Sequence, residues 1–467
     1  MKRMIGLGVF VMIGGIGFGS MTGKPTAAVI ADETSALQTR IDAASASGGG
    51  RVSVAPGRHV VGTIFLRDGV ELHLERGCTL EGSTNLTEYA PLKLEYSEMP
   101  RPWHALVAAI DAKNVSVTGE GEVFGNGTRF KVGLATLNRP RGFIFFRCRN
   151  VRITDIKLRD TASWGCYFKE CDGVTVERMM IDNHASINND GIDIESKNVV
   201  IADCDIDSGD DGVCLKSDNP NFTVENVEVK GCVVRSNCSA LKFGTASHGT
   251  CRHVRFHDCT VDACRRGTIN PKTGKEMFIP NHLSLFPGSI PGFFSLAAIV
   301  VDNVDGGTVE DIVFERINVK ATLVPVFIRA GSRFHRRFAG VDCEIPYGES
   351  RVFRNIVIRD LKAVSMGATA SSVTGVELCR PKDILFENCE ISCLAAGELA
   401  DAAKTRPVPE KIEAYPDPYI FDGILPAYGC YVRHADGVTF RNVRFEVRNG
   451  DDSREPIVSE DASVVCR

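Results

Sequence analysis

The chain lacks the basic excess that is typical of proteins that bind nucleic acid. Lysine and arginine total 54 against 59 aspartates and glutamates, and the formal net charge is −5 over 467 residues. A mildly acidic protein has no general electrostatic attraction for nucleic acid or anionic lipid. We therefore expect no nucleic-acid partner, and an anionic substrate would need a local cluster of cations.

Long apolar runs are absent after the N-terminus. Lys2 and Arg3 precede the run MIGLGVFVMIGGIGFGSM, and AVIA ends in small residues at Ala31, which is the pattern of a secretory signal. A membrane anchor is the weaker alternative, because the run is glycine-rich and barely long enough to span a bilayer. We predict a signal peptide over residues 1–31, a secreted or periplasmic protein, and a mature chain without a membrane span. Its removal would bring the charge from −5 to −8.

A short phrase recurs along the chain, with a spacing of 23 to 28 residues among its first five copies. Each copy alternates apolar and polar residues, which is the period of a strand with one buried face. Irregular spacing suits a solenoid whose rungs keep their strands and vary their loops. The copies are NVRITD (150), GVTVER (173), NVVIAD (198), NVEVKG (226), HVRFHD (253), DIVFER (311), NIVIRD (355), DILFEN (383) and GVTFRN (437).

The cysteines follow this repeat. Zinc-type spacing such as CxxC…CxxC is absent among the 17 cysteines, so a structural metal is not expected. Five residues after the second residue of four copies, which is valine or isoleucine, stands a cysteine, namely Cys204, Cys232, Cys259 and Cys389, where most other copies carry isoleucine, leucine or methionine. Cysteine therefore replaces buried hydrophobes. We predict that most of these residues are core thiols, and oxidation of a few pairs stays open.

Stacked rungs of about 25 residues with parallel strands form a right-handed β-helix. We predict an all-β chain consisting of a single right-handed parallel β-helix, or β-solenoid, that acts as a monomer. Residues 32–114 would form an N-terminal cap and the first rungs, because a solenoid end must be covered. Residues 115–467 would form the β-helix, with loop insertions at about 265–296, 331–350 and 394–430, where the periodicity is low.

Three acids are expected to converge on neighbouring rungs. Aligning WGCYFKE (164), DGIDIES (190), DGVCLKS (211) and SALKFGT (239) puts Asp190 and Asp211 in one column, about 4.8 Å apart. Asp210 precedes Asp211 and projects differently. Clustered acids raise the pKa of at least one of them and are typical of acid–base catalysis. Calcium is the other common reason, but no glycine-and-aspartate nonapeptide array is present, so we predict catalysis without a metal or cofactor.

Glycoside hydrolysis needs such a set of carboxyl groups. One protonated carboxyl releases the leaving group, and a carboxylate activates water or attacks the sugar. Separations of about 6.5–9.5 Å favour inversion and about 5–5.5 Å favour retention. The spacing of Asp190 and Asp211 is close to the second range, whereas Asp210 would supply a longer separation, so the stereochemistry stays open at this point.

The two acid motifs resemble those of glycoside hydrolase family 28, the polygalacturonase-like enzymes. NND (188–190) and GDD (209–211) match the family's Asn-x-Asp and Asp-Asp motifs in order and spacing, and both ends of the chain are also similar. The resemblance implies an inverting hydrolase of pectin-type, galacturonate-containing polysaccharide or oligosaccharide. It also implies that Asp210 is the general acid, that Asp190 and Asp211 position and deprotonate the water, and that Asn188 orients the site.

The sequence departs from the family at two elements. Ser239 stands where polygalacturonases carry the histidine of Gly-His-Gly, and His248 is nine residues late and is expected to be a loop residue. The family's Arg-Ile-Lys is replaced by SLAAIVVDN (295–303), which has no cation. Rhamnogalacturonan hydrolases of the family also lack the histidine element. Rhamnogalacturonan or another acidic glycan is therefore an alternative substrate.

Other residues are candidates for substrate binding. Lys216 and Lys242 share the strand face of the acids, and Arg329, with Arg333, lies near a later loop. Trp164 falls in the acid column one rung earlier, where it could stack on a sugar or pack under the loop in the 130s. Lys216 also fits a salt-bridge ladder with Lys169 and Glu195.

Alternatives from other classes stay open. A pectate-lyase-like enzyme would use calcium and a basic residue and would release an unsaturated product that absorbs ultraviolet light. A non-catalytic glycan-binding β-helix would not need the three acids together. A hydrolase that binds glycan without turnover is a third possibility, which the missing family cations keep open. In all these cases the expected partner is an acidic plant-type polysaccharide or oligosaccharide.

Overall fold

Parallel strands make up most of the protein. The computed structural model describes residues 27–96, 102–130, 139–270, 272–277, 286–333 and 352–467. The strands are β1 (Gly50–Val54), β2 (Gly57–Val61), β3 (Ile64–Phe65), β4 (Val70–Leu74), β5 (Cys78–Gly82), β6 (Ala105–Ile110), β7 (Lys113–Gly119), β8 (Glu122–Phe124), β9 (Arg141–Phe146), β10 (Arg149–Thr154), β11 (Lys157–Arg159), β12 (Cys166–Glu177), β13 (Met180–Asn183), β14 (Ile192–Ala202), β15 (Asp205–Ser208), β16 (Val213–Ser217), β17 (Thr223–Lys230), β18 (Val233–Ser236), β19 (Ser239–Ser247), β20 (Thr250–His257), β21 (Thr260–Asp262), β22 (Thr268–Ile269), β23 (Glu276–Met277), β24 (Ser295–Asn303), β25 (Thr308–Glu315), β26 (Asn318–Ala330), β27 (Val352–Arg359), β28 (Lys362–Ser365), β29 (Ser371–Thr374), β30 (Lys382–Leu394), β31 (Ala427–Arg448) and β32 (Glu455–Cys466). The helices are α1 (Ala27–Ala46) and α2 (Leu399–Thr405), with short 3-10 turns at Leu86–Glu88, Gly127–Arg129 and Pro418–Phe421.

The strands stack in parallel ladders that follow one another around each rung. In the ladder that carries the recurring phrase, Val199 pairs with Val227, and Val227 pairs with Val254. The same register continues through Ile312 and Ile356. The predicted all-β, right-handed parallel β-helix is confirmed, because the residues aligned by sequence pattern are the register partners.

Asparagine or aspartate opens most copies of the phrase because the backbone turns there. Asn198 and Asn226 both have a φ of 56°, in the left-handed region that asparagine tolerates better than most residues. The Asn226 side-chain amide donates to Oδ1 of Asn198 at 3.0 Å. The turns of adjacent rungs are therefore tied together as well as shaped by this residue type.

The interior consists of stacked columns of like side chains. The rings of Phe256 and Phe314 lie 4.8 Å apart, and those of Phe386 and Phe440 lie 4.9 Å apart. The repeat cysteines are buried free thiols, as the columns predict: Cys204, Cys232, Cys259 and Cys389. Small thiols and large rings thus fill one continuous core between the ladders.

Helix α1 packs against the first strands. It begins at Ala27, five residues before the predicted start of the mature chain, and it buries Leu37 and Ile41. The Gln38 side chain donates to the Phe65 carbonyl at 2.9 Å and accepts from its N–H at 2.8 Å. Most of the predicted signal peptide lies outside the described residues. Over the described part of the chain, no helix is long and apolar enough to cross a membrane.

Three interruptions separate later rungs. The first, between β21 and β24, contains the antiparallel pair β22–β23. The second falls almost entirely on residues 334–351, outside the described residues. The third insertion, residues 395–426, carries α2 and packs Val408, Ile420 and Phe421 in a cluster with Ala297 and Val300 of β24. The third insertion is therefore folded and packs against β24.

Candidate active site

The column of acids is present at the start of β14 and β16. Ile192 pairs with Val213, which pairs with Leu241, and the Gly191 N–H donates to the Asp211 carbonyl at 2.8 Å. Asp190, the neighbour of Gly191, therefore stands beside Asp211 on the next rung. The backbone spacing of parallel rungs is about 4.8 Å.

A glycine follows each of these aspartates because the rungs approach closely. A Cβ at Gly191 would lie 2.5 Å from the carbonyl oxygen of Gly212, and a Cβ at Gly212 would lie 2.6 Å from that of Ala240. Neither position has room for a side chain. The two glycines are thus required by packing.

Asp210 and Asp211 bring their carboxylates together. Single oxygens of the two side chains and Sγ of Cys238 all lie within 4.8 Å of one another. The Asp210 carbonyl accepts from Oγ of Ser208 at 2.9 Å and from Oγ of Ser236 at 2.7 Å, which fixes the turn. Asp211 is 4% exposed, whereas Asp210 is half-buried. Asp210 is therefore the more accessible of the two.

Two buried lysines neutralise part of this charge. Nζ of Lys242 lies 2.9 Å from Oδ2 of Asp211. Nζ of Lys216 lies 3.1 Å from Oδ1 of Asp193 and 3.9 Å from Oδ2 of Asp190. Both lysines were candidates for binding substrate. The structure instead places them in the charge balance of the acids, because each ammonium is buried against a carboxylate.

The three acids differ in their affinity for protons. Burial and the neighbouring charge of Asp211 raise the pKa of Asp210 to about 7. Burial and nearby carboxylates also raise the pKa of Asp190. Burial alone would raise the pKa of Asp211, but Lys242 and Lys216 outweigh it and hold that pKa below its ordinary value. Near neutral pH the site therefore holds an ionised carboxylate beside a carboxyl that readily carries a proton.

Asn188 begins the turn that leads to Asp190. Its φ is 54°, and its Oδ1 accepts from Nη2 of Arg139 at 2.9 Å. Nη1 of the same guanidinium donates to the carbonyls of Ala162 and Ile187, both at 2.7 Å. Arg139 is thus a residue of the site that sequence reasoning missed, because a lone arginine 49 positions earlier carries no pattern.

Trp164 is packed into the protein. Its ring lies 5.3 Å from that of Trp103 and 5.1 Å from that of Tyr167, and the Lys216 ammonium lies 4.6 Å from its centre. The side chain is 6% exposed. Of the two alternatives for Trp164, packing is what the structure shows, although the partner is Trp103. The loop at 131–138 lies outside the described residues.

Arg329 is buried beneath the third insertion, which argues against its predicted role as a substrate-binding cation. It is 1% exposed, and it donates to Oγ1 of Thr374 at 3.3 Å and to the Glu410 carbonyl at 2.5 Å. Arg333, named with it, pairs with Asp305 at 2.7 Å. Both guanidinium groups therefore make stabilising contacts within the protein.

Lys169 and Glu195 form the ion pair that the ladder alternative predicted, although the pair is buried rather than solvated. Nζ of Lys169 lies 2.5 Å from Oε2 of Glu195, and neither side chain is exposed. Oε1 of Glu195 accepts from the Asn219 N–H at 2.6 Å. Lys216 does not join this pair in the structure, because its ammonium turns toward the acids.

Three further aspartates surround the acids and were missed by sequence reasoning. Asp193 stands on β14, and its place in DGIDIES was the available signal. Asp302 is fully buried, and neither of its oxygens has a hydrogen-bond partner among the described residues. Asp417, from the third insertion, is 6% exposed and accepts from the Tyr419 hydroxyl at 2.7 Å. The last two carry no repeat pattern.

Ser239 and His248, the two residues considered for the family's histidine element, lie at different places in the structure. The Ser239 N–H donates to Oδ1 of Asp211 at 3.2 Å, so a backbone group contacts Asp211 at the position where the family alignment places a histidine. His248 lies in the bend between β19 and β20 with its Nδ1 3.8 Å from Oδ2 of Asp305, as expected of a loop residue.

Two groups of side chains have the donor atoms to hold a metal ion. Among the described residues these are Asp210, Asp211 and Cys238, and separately His184, Asp207 and Cys264. The ammonium of Lys242 beside Asp211 opposes a cation in the first group. In the second, Nε2 of His184 already lies 2.8 Å from Oδ1 of Asp207. The absence of a metal stays a prediction.

Comparison with known proteins supports the family resemblance that the two acid motifs indicated. Residues 53–272 match the model described as glycosyl hydrolases family 28, a range that contains both acid motifs. A probable polygalacturonase of Arabidopsis thaliana is 29% identical over 181 residues, which is 32% of this chain and 39% of that protein. A probable rhamnogalacturonase A of Aspergillus oryzae is 30% identical over 129 residues, 27% of each chain. This chain therefore matches well under two thirds of the length of these relatives.

A solved structure supports the fold. The crystal structure of a hyperthermoactive exopolygalacturonase from Thermotoga maritima has a TM-score of 0.63 with this chain, at 20% identity and over 88% of each chain. At that identity the likeness concerns the fold alone. Together with the family match, it confirms the resemblance that the two acid motifs indicated.

Proposed function

We propose that this member of glycosyl hydrolases family 28 cleaves glycosidic bonds in a pectin-type, galacturonate-containing polysaccharide or oligosaccharide by acid–base catalysis. Asp210 is the general acid, and Asp211 with Asp190 positions and deprotonates the attacking water. One observation carries this proposal. Two carboxylates within 4.8 Å of each other have pKa values shifted in opposite directions, to about 7 for Asp210 and below the ordinary value for Asp211. Such a pair supplies a proton donor and an acceptor at one place.

The proposed reaction balances with one water. The Asp210 proton passes to the glycosidic oxygen as the bond to the anomeric carbon breaks, and that carbon gains oxocarbenium character. Water attacks the carbon and gives its proton to Asp211. A proton then returns to Asp210 before the next turnover. The short gap between the two carboxylates suits that return.

Inversion is the stereochemistry that the family resemblance implies. The gap of at most 4.8 Å between the nearest oxygens of Asp210 and Asp211 is shorter than the about 6.5–9.5 Å that leaves room for water between an inverting pair. We therefore place the water on the Asp190 side of Asp211. Proton NMR of the first-formed sugar anomer tests this, and retention of configuration would contradict it.

The residue assignment is tested by Asp210→Asn. We expect the release of reducing ends from pectic substrates to fall by about 10²–10⁴-fold, the typical contribution of a positioned acid, while the melting temperature stays near that of the parent protein. Asp203→Asn is the matched control, because Asp203 is exposed and its φ of 56° suits asparagine. Full activity of Asp210→Asn would refute the assigned role.

Rhamnogalacturonan hydrolysis is a second candidate. The segment 295–303 supplies no cation, and Ser239 stands where polygalacturonases carry a histidine. Both features favour a substrate other than plain polygalacturonate. The partial match to a probable rhamnogalacturonase agrees with this. A product screen on polygalacturonan, rhamnogalacturonan and their oligomers, with and without chelator, separates the candidates. Calcium-dependent products that absorb ultraviolet light would indicate a lyase instead.

Export and a monomeric state complete the proposal. Residues 1–31 have the pattern of a cleaved signal. N-terminal sequencing and the mass of the protein recovered outside the cytoplasm test both points, and an uncleaved N-terminus or a dimer mass would contradict them.

A further inference from the structure

Tyr415 is the one exposed aromatic side chain in the parts of the chain that the structure describes. It belongs to the third insertion and is 47% exposed. A single exposed apolar residue carries no meaning by itself, because folded proteins leave many of them on the surface. The location of Tyr415 gives it meaning, because the ring stands beside the proposed catalytic acids.

Two buried cations connect the ring of Tyr415 to the acid site. Nζ of Lys242 lies 5.8 Å from the centre of the ring, and the same atom lies 2.9 Å from Oδ2 of Asp211. Cζ of Arg333 lies 5.9 Å from the ring centre. Both distances are within the range at which an aromatic ring attracts a cation. Only the Lys242 ammonium therefore separates the ring from a proposed catalytic carboxylate.

The exposed ring of Tyr415 stands at the edge of this site and not on an open surface. Burial raises the pKa of its hydroxyl well above the ordinary value, Lys242 opposes the rise, and Asp417 and Asp211 add to it. A side chain that is half exposed and also strongly desolvated has solvent on one side and protein on the other. The solvent side is where a ligand of the acid site can contact the ring.

The turn that carries Tyr415 is fixed by its own contacts. Pro416 and Pro418 are buried on either side of Asp417, and each proline ring restricts φ. The Asp417 N–H donates to the Tyr415 carbonyl at 3.0 Å, and the Asp417 carboxylate accepts from the Tyr419 hydroxyl at 2.7 Å. A side chain on a rigid turn loses less conformational entropy when a ligand covers it.

A pyranose sugar has the surface that such a ring binds. One face of the sugar consists of C–H groups with a partial positive charge, and the face of an aromatic ring is partially negative. The sugar hydroxyls remain free for the polar groups of the site. Oδ1 of Asp190 is a buried acceptor with no hydrogen-bond partner among the described residues, and a hydroxyl can donate to it. Trp164, which the sequence offered for stacking, is only 6% exposed.

We infer that Tyr415 is a substrate-binding residue whose ring stacks on a sugar unit next to the bond that is cleaved. The inference rests on the proposed function and assigns the third insertion a part in it. Because stacking uses the C–H face of the sugar, it applies to a uronate and to a neutral sugar alike.

The test measures binding apart from turnover. In the Asp210→Asn background, calorimetric titrations with an oligogalacturonate and with a rhamnogalacturonan oligomer give the Kd of each. We expect Tyr415→Ala to raise the Kd of the oligosaccharide that the parent protein cleaves by about three- to tenfold. Tyr415→Phe keeps the ring and should leave that Kd close to the parent value. Tyr415→Leu keeps apolar bulk without an aromatic face and should weaken binding as Tyr415→Ala does, which also covers an alanine variant that fails to fold.

Turnover by the otherwise unchanged protein gives a second readout. Tyr415→Ala should raise KM by the same factor and leave kcat and the acid limb of the pH profile in place. Leu399→Ala is the control, because Leu399 is 43% exposed in α2 of the same insertion. It should change neither Kd nor KM.

The contradicting outcomes are distinct. An unchanged Kd in Tyr415→Ala, or a loss in Tyr415→Phe as large as that in Tyr415→Ala, would overturn the inference and leave the proposed function intact. A lower kcat with a shifted acid limb and an unchanged KM would also overturn it, because Tyr415 would then act through Lys242. If the parent protein neither binds nor cleaves either oligosaccharide, the proposed function itself falls, and the inference with it.

Discussion

Replacing Lys242 by methionine tests how the site keeps one acid ionised. The change keeps an unbranched apolar stem and removes the ammonium 2.9 Å from Oδ2 of Asp211; the two side chains are 2% and 5% exposed. At that distance two unit charges attract by about 6 kcal/mol with an effective dielectric constant of about 20. Desolvation opposes this attraction, and removing one partner of a buried pair typically costs about 3–5 kcal/mol.

The loss of Lys242 should appear in the pH profile. Without the ammonium, burial dominates and the pKa of Asp211 rises, so the acid limb of kcat/KM moves to higher pH. Because the pKa of Asp211 is lowered in the parent protein, the pair stabilises the fold above the ordinary pKa of aspartate. That stabilisation disappears as the pH falls through the lowered value. The variant should lack this pH-dependent stability, and its activity at neutral pH should fall by about 10²-fold.

Lys169→Met is the matched control for this variant. Lys169 is an equally buried lysine on the same face, and it pairs with Glu195. Thermal melts should show a loss of stability in both variants, whereas only Lys242→Met should shift the acid limb. An acid limb that Lys242→Met leaves in place would refute the reasoning that Lys242 keeps Asp211 ionised.

Further predictions concern Arg139, Arg329 and pH. Arg139→Lys cannot reproduce the forked contacts that hold Asn188, so kcat should fall by about 10²-fold with little change in KM; initial rates decide, and a raised KM alone would indicate substrate binding instead. Arg329→Met should lower the melting temperature and leave KM unchanged, because Arg329 donates to the Glu410 carbonyl. An increased KM would indicate that Arg329 binds substrate after all. The rate should decline above about pH 7 as Asp210 loses its proton, and a rate that still rises at pH 9 would contradict its role as the acid.

The rung register could be predicted because the same constraint recurs in every turn of the helix. A residue in the left-handed region, most often asparagine or aspartate, followed by alternating apolar residues, marks the strand in each copy of the repeat, so Val199, Val227 and Val254 align by counting alone. The column of Asp190 and Asp211 follows from that register. Once the register is known, residues distant in sequence become neighbours.

The surroundings of the acids could not be predicted in this way. Arg139 and Asp417 reach the site from segments without a repeat, and no column places them. The substrate-binding role predicted for Lys216 and Lys242 assumed that a cation on the acid face meets the substrate. A register gives the position of a Cβ but not where a long side chain ends, and both ammonium groups end on carboxylates of the chain.

The backbone holds the acids together against their own repulsion. A pKa of about 7 for Asp210, against an ordinary 3.8, corresponds to about 4 kcal/mol for keeping that carboxylate ionised at high pH. Side-chain attraction does not explain this proximity. The Gly191 N–H bond to the Asp211 carbonyl does, because it belongs to a ladder that continues for many rungs on either side. Since each rung of a solenoid is stabilised by its neighbours, a strained rung is supported by unstrained ones. The same ladder that makes the fold regular therefore allows an irregular distribution of charge at the rungs that carry Asp190 and Asp211.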